Sequence, residues 1–563
     1  MIKMFRHIRT LIANENYNEL ANYKMKKPEQ FNWVKDVFEA INVHDQPDAT
    51  ALIWTDSTTR NHYTFKGLAA ECNQLLNYLR NDGVVQNDVI FMQLPLLPAN
   101  WLTQLVSIKG GFRLIPAATI LGVQDIIYRF GKLMPRVVIA DNDNAIKIDE
   151  AELLSGNKVT LKIIVGGSRE GWQQLDDIYA HSTIAEAAVT LADDPLFLFF
   201  TSGTTGMPKV VIHTHFSYPV GHLTTASWVS MRPGDIHYNI SQPGWAKFSW
   251  SSFFAPWNMG AAIFAFNQQG RFNAAEQLSM IEHNKITTFC APPTALRLLI
   301  QEDLTNYSFS LRQCVAAGEP LNPEVIDVWH KGTGLTIRDG YGQTESTCMV
   351  ANLPGTKIKF GSMGKPLFLY DIVIADEDGK EMGVHEEGNI TVRTTDSQPN
   401  GIFLEYYGDA EKKKEVFKHG LYYTGDKAYK DDDGYLWFVG RDDDVIKSSD
   451  YRVGPFEVES VLLEHESVLE SAVVGSPHAV KGNEVKAFVI LNAGYTAGKA
   501  LADDLFAYTR KNLAPYKTPR IIEFVTELPK TISGKIRRIE LRAAEAEKKA
   551  KGISSENEFH YTR

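Results

Sequence analysis

The densest run of chemistry-bearing residues is TSGTTGMPK at 201–209. Thr201, Ser202, Gly203, Thr204, Thr205 and Gly206 are small or hydroxylic, and Lys209 closes the run. Glycines let a backbone approach an anion closely, hydroxyls and successive N–H groups cradle phosphate oxygens, and a lysine adds a point charge. The Walker A spacing GxxxxGK[ST] is absent, and Pro208 followed by VVIH does not read as a helix start. A second run, DGYGQTE, sets Asp339, Gly340, Tyr341, Gly342, Gln343, Thr344 and Glu345 side by side. YYTGD ends on Asp426. PKTISGK ends on Lys535. Taken singly, each has a plainer reading. The first is a Ser/Thr/Gly loop, Gly318-Glu319-Pro320 a turn, Asp426 a hairpin aspartate, and Lys535 a solvated lysine near a basic run.

Strand-length apolar stretches must position these loops. DVIFMQLPL (88–96), RVVIAD (136–141), KIIVGG (162–167) and PLFLFF (195–200) alternate with helix-like segments. Continuous apolar strands between amphipathic helices predict buried, mostly parallel sheets. From about 370 to 440, short alternating pieces with DG and GD turns predict antiparallel hairpins. The charged segment GRDDDVIKSSD at 440–450 follows, and then an α+β pattern: helix FEVESVLLEH, strands SAVVGSP and EVKAFVILN, a helix over about 500–513, and strand IIEFVTELP. The Ala/Glu/Lys-rich tail from about 540 reads as a solvated helix that frays into disorder.

A chain of 563 residues is too long for one core. Its 44% hydrophobic and 22% charged residues fit a soluble globular protein. The net charge of -10 argues against a general nucleic-acid binder. Four scattered cysteines, Cys72, Cys290, Cys314 and Cys348, suggest neither a zinc site nor disulfides, and a reducing compartment fits. No apolar run approaches the roughly 18 residues of a membrane span, so no integral membrane association is expected. The N-terminus is basic until Glu15, a weak match to an organellar targeting segment. An ordinary surface helix and a cytoplasmic protein are the expectation.

Seven motifs occur in one order: TSGTTGMPK, QPGWAKFSWSSFFAPWNMGA (242–261), AAGEPLNPE (316–324), DGYGQTE, YYTGD (422–426), GRDDDVIKSSDYRVGPFEVE (440–459) and PKTISGK (529–535). Together they resemble the adenylate-forming superfamily of acyl-CoA synthetases, non-ribosomal peptide adenylation domains and luciferases. The medium-chain acyl-CoA synthetases are most similar, over nearly the whole chain from 31 to 542. The resemblance implies an α/β fold: a large N-terminal domain (1–440) of mostly parallel sheets with a small β-barrel-like subdomain, a hinge (441–444), and a small mobile α+β C-terminal domain (445–563). It implies an acid–thiol ligase of fatty-acid metabolism that uses ATP, Mg2+ and CoA.

Roles carry over residue by residue. Residues 201–206 and Lys209 would hold phosphates, and Gly318, Glu319 and Pro320 would line the adenine pocket, with Asp339 to Gln343 beside them. Tyr341 would stack on adenine, Thr344 contact the α-phosphate and Glu345 hold the metal. Asp426 would take the ribose hydroxyls and Arg441 reach ribose and phosphates. Lys535 would stabilise charge in the adenylation transition state. Trp245 and Gly340 would face the acyl group, while Trp250, Phe253, Phe254 and Trp257 read as packing. Asp443 would be the hinge, and Ser448, Ser449, Asp450 and Arg452 would line the CoA path. The medium-chain pattern SSGYR reads SSDYR here, so Asp450 stands where a glycine passes the pantetheine arm. That departure leaves a carrier-protein pantetheine open as the acceptor. A non-catalytic nucleotide binder is the other alternative, and Glu345, Asp426 and Lys535 argue against it.

Overall fold

Val89–Gln93, VIFMQ, is buried at all five positions and lies in parallel register between Arg113–Pro116 and Val137–Asp141. A strand with both faces covered is filled mainly by apolar side chains, which is why these segments read as near-continuous apolar runs; the buried Gln93 at its end donates to the Ala118 carbonyl at 3.0 Å. The computed structural model describes residues 1–56, 58–201, 208–319, 321–394, 398–448, 451–478, 481–530 and 535–561. Within them, this strand belongs to a sheet ordered Glu405–Tyr406, Lys209–Thr214, Pro195–Thr201, Arg113–Pro116, Val89–Gln93, Val137–Asp141, Leu161–Val165 and Gln173–Gln174. A second sheet runs Lys365–Pro366, Cys348–Ala351, Ile337–Gly342, Gln313–Ala317, Thr288–Ala291, Ile236–Asn239, Ala262–Phe266, Thr50–Thr55 and Arg60–Thr64. In both, the central pairings are parallel; antiparallel strands stand at the Glu405–Tyr406 end of the first sheet and at both ends of the second. Phe91, Val138, Ile164 and Leu198 fill one core, and Phe289, Leu296, Ile326 and Trp329 another.

Two compact units emerge. The first is Met1–Asp371 with Thr394–Glu415 and holds both large sheets. The second is Ile372–Arg393 with Val416–Arg563. It contains an antiparallel sheet of Ile372–Ala375, Gly388–Arg393, Leu421–Lys430 and Phe417–Lys418, with Leu436–Arg441 on Leu421–Lys430. It also contains a sheet ordered Tyr451–Val453, Ile446–Ser448, Gly482–Leu491, Ile521–Phe524 and Glu558–His560, with Val468–His478 on Gly482–Leu491. Helices Pro455–Leu463 and Lys499–Asn512 bury Val458, Leu462, Leu505 and Phe506 against it. The division falls at 371 because the antiparallel strands pair only among themselves. Residues 441–444 therefore lie inside the second unit.

The expected tail helix is Arg538–Ala550, but the chain beyond it does not fray: Glu558–His560 pairs antiparallel with Ile521–Phe524. The cause is a buried charge cluster. Lys486 is fully buried, with its ammonium 2.7 Å from Glu523, 2.5 Å from Glu545 and 2.8 Å from Glu558. Lys548 adds pairs to Glu523 at 2.8 Å and to Glu558 at 2.5 Å. A buried ammonium requires such partners, and the acidic tail supplies two of them. At the other end, Ile2–Ala13 seals Phe5, Ile8 and Ile12 completely, while Arg9 donates to Asn42 Oδ1 and to the Trp257 and Asn258 carbonyls.

Candidate active site

Thr201 and Lys209 are in register across the antiparallel pair Pro195–Thr201 and Lys209–Thr214. They flank the phosphate-loop segment. Ser202, Gly203, Thr204, Thr205 and Gly206 lie outside the described residues. Strand alternation puts Lys209, Val211 and His213 on one face. The outer edge of the same strand pairs with Glu405–Tyr406, Tyr406 opposite Val211. That register brings the Tyr406 ring to 5.7 Å from Lys209 Nζ, and the Tyr406 hydroxyl donates to Glu345 Oε1 at 3.0 Å. Burial lowers the Lys209 pKa, Lys412 adds to the effect, and Glu345 opposes it. Three expected phosphate-, metal- and adenylate-contacting positions, Lys209, Thr344 and Glu345, thus converge through two residues that lie in none of the seven motifs, Tyr406 and His213.

The segment 343–345 is fastened at its backbone. His213 Nε2 lies 2.7 Å from the Thr344 carbonyl, and Phe403 N donates to the Glu345 carbonyl at 2.8 Å. Gln343 N donates to Ser346 Oγ at 3.0 Å. The preceding strand, Ile337–Gly342, needs its glycines. A Cβ at Gly340 would come within 2.6 Å of the Trp228 ring, and one at Gly342 within 2.6 Å of the Trp250 ring and 2.1 Å of the Thr347 carbonyl. Contacts this close leave no room for any side chain. Tyr341 lies between them, in register with Val350. Asp339 is half-buried, and burial pushes its carboxyl up to about 8 against a 2.9 Å hydrogen bond from Gly340 N. Gly318 sits at φ +107°, and Glu319 accepts from Thr294 Oγ1 at 3.0 Å. Pro320 lies outside the described residues.

Trp245 is half-buried and packs on the core that contains Ala118, Ile126 and Phe130. Trp250, Phe253, Phe254 and Trp257 are all buried.

The second unit carries the other expected groups. Asp426 is buried and in register with Arg441, their side chains 3.9 Å apart. Asp442 pairs with Lys427 at 2.7 Å. Asp443 lies 4.0 Å from Arg542, and Asp444 pairs with Arg542 and, at 3.7 Å, with Arg538. Ser448 ends the strand Ile446–Ser448, and Arg452 faces Lys447 across the hairpin. Ser449 and Asp450 lie outside the described residues. Lys535 is exposed, three residues before the helix Arg538–Ala550.

The chain matches the AMP-binding enzyme model over residues 40–407, and the AMP-binding enzyme C-terminal domain over 457–535. The chain belongs to the AMP-binding enzyme family. A 4-hydroxybutyrate–CoA ligase of Metallosphaera sedula is 50% identical over 534 residues, 94% of this chain and 93% of that one. A mitochondrial acyl-coenzyme A synthetase of Rattus norvegicus is 40% identical over 556 residues, 96% of each chain. Among solved structures, the anthranilate CoA ligase AuaEII in complex with anthranoyl-AMP is similar at TM-score 0.85 and 32% identity, covering 94% of this chain and 100% of that one. This AMP-binding enzyme is an AMP-forming acid–CoA ligase that uses ATP, Mg2+ and CoA. The donor set fits Mg2+: one carboxylate, Glu345, oriented by a tyrosine beside a lysine, leaves the remaining oxygens to phosphates. Among the described residues no helix is long and apolar enough to cross a membrane.

Proposed function

We propose that this ligase activates a medium-chain or small aromatic or branched carboxylic acid in two half-reactions. A carboxylate oxygen attacks the α-phosphorus of ATP, the bond to the bridging oxygen breaks, and pyrophosphate leaves. The CoA thiolate then attacks the acyl carbonyl of the adenylate, and AMP leaves. Bound Mg2+ neutralises phosphate charge. Lys209 and the 201–206 loop hold phosphates, and Thr344 contacts the α-phosphate. Glu345 supplies the metal ligand, and Asp426 and Arg441 bind ribose. Lys535 stabilises the first transition state by placed charge, with no covalent bond to the enzyme. Residues 445–563 then turn about Asp443, replacing Lys535 with the 448–452 segment.

The observation that carries this reading is Tyr406, whose hydroxyl is on Glu345 and whose ring is under Lys209. For the acyl group, Trp245 and Gly340 face the acid, and the Trp228 ring, 2.6 Å from where a Cβ on Gly340 would stand, supports a compact one. AMP release measured over acids of increasing length and over small aromatic acids tests it. The rate should peak at compact acids, and a maximum at long-chain acids would overturn the size limit. We also place the protein in the cytoplasm, where its four buried free cysteines stay reduced.

Asp450 stands where the medium-chain pattern has glycine, and in this reading it crowds the CoA path. Turnover of preformed acyl-AMP by CoA, in the native protein and in Asp450→Gly, tests it: the variant should turn over faster, and unchanged or slower turnover would show that Asp450 does not obstruct that path.

A further inference from the structure

His213 is fully buried, four residues along the strand from Lys209, roughly 13 Å at strand rise. Its Nε2 is 2.7 Å from the Thr344 carbonyl oxygen. A carbonyl only accepts, so Nε2 carries the ring proton and donates. Nδ1 is then the bare acceptor, and it faces Ser217 Oγ at 3.5 Å. That hydroxyl oxygen already accepts from Thr214 N at 3.0 Å, which leaves its proton for Nδ1. Burial lowers the His213 pKa to about 4, so the ring is neutral near pH 7. Tyr218 at 4.3 Å and Phe199 at 6.4 Å between ring centroids hold its plane. Tautomer, charge and orientation are therefore all determined, and the single N–H is spent on one catalytic-loop carbonyl.

We propose that His213 is a positioning residue for adenylation. By fixing the carbonyl of Thr344 it sets the peptide between Thr344 and Glu345, and with it the directions of the Thr344 hydroxyl and the Glu345 carboxylate. The inference rests on the roles assigned above to Thr344 and Glu345. His213 itself does not meet substrate. It is sealed from solvent, and its proton is committed to the protein.

Two amide replacements separate the ring's two ends. His213→Asn keeps a polar group at the Nδ1 position, toward Ser217, but is too short to reach Thr344. His213→Gln keeps an N–H near the Nε2 position. Pyrophosphate exchange is measured against ATP and against the acid, with thermal melting beside it. We expect His213→Asn to lower kcat/KM for ATP roughly 10- to 100-fold, the scale of a small misplacement at a reacting centre. The KM for the acid should stay within about threefold, and His213→Gln should retain ATP kinetics within about threefold of native. Equal activity of the Asn and Gln proteins, high or low, overturns the inference, because only one of them can donate to Thr344. Thr344→Ala identifies which level failed. If it impairs exchange while His213→Asn does not, the positioning role alone falls. If Thr344→Ala leaves ATP kinetics unchanged, the role assigned to the loop falls first.

Discussion

Tyr406 Oη donates to Glu345 Oε1 at 3.0 Å while the same ring lies 5.7 Å from Lys209 Nζ. One aromatic side chain thus touches an acid and a base that sequence motifs place far apart. Tyr406→Phe keeps the ring and removes only the hydroxyl. A hydrogen bond to a charged partner contributes about 1.5–3 kcal/mol, or roughly tenfold or more in rate. Pyrophosphate exchange should fall by that factor at limiting Mg2+ and recover toward native as Mg2+ is raised. A Mg2+ titration of both proteins that gives superimposable curves would show that the hydroxyl does not orient Glu345.

Lys535→Ala should lower the adenylation step roughly 10²- to 10³-fold, the scale of losing one preorganised charge donor. Acyl-CoA formation from preformed acyl-AMP should be nearly native, because in the proposed mechanism the lysine serves only the first half-reaction. Comparable losses in the two assays would contradict separate conformations for the two steps.

Asp443 lies between two anchored neighbours. Asp442 is tied to Lys427 at 2.7 Å, and Asp444 is tied to Arg542 and Arg538. Asp443 reaches Arg542 only at 4.0 Å, so a change of backbone angle in 441–444 meets least resistance there. Asp443→Pro fixes φ there and should leave pyrophosphate exchange in place while thioester formation drops. Native rates in both assays would move the pivot elsewhere.

The Lys486 cluster gives a pH dependence whose sign can be reversed. Burial alone would raise the Glu558 pKa, but hydrogen bonds from Lys486 and Lys548 hold it well below 4.5. Its contribution to stability is therefore complete above about 4.5 and is lost as pH falls toward the depressed value. Lys486→Met leaves three carboxylates together without the central ammonium. Breaking such a pair costs about 3–5 kcal/mol, and the surviving acids should bind protons more tightly when folded. The variant should melt well below native at pH 7.5 and regain part of the difference at pH 5.5. A deficit that is independent of pH would mean that packing, not charge, is what Lys486 supplies.

Fold class and family were open to reading from residues alone because apolar runs and loop motifs are local. Val89–Gln93 and Pro195–Thr201 announce themselves by composition. Tyr406 does not. It meets Glu345 from 61 residues away, through a two-residue strand at a sheet edge that no propensity marks. His213 was equally silent as one residue of a buried strand, although its alternation with Lys209 could have put both on one face. The ordered end of the tail is silent for a different reason. Glu545 and Glu558 look like solvated acids in any charge count, and only Lys486, buried on a strand 59 and 72 residues away, draws them inward.

The final strand also bears on how the chain leaves the ribosome. Synthesis delivers Lys486 long before Glu558, which supplies its third carboxylate, and before Glu558–His560 covers the edge of Ile521–Phe524. A nascent chain held near residue 550 would display an uncovered strand edge and a buried amine short of a counter-charge. A chain lacking residues 551–563 should therefore leave that edge open to pairing and be cut faster by protease.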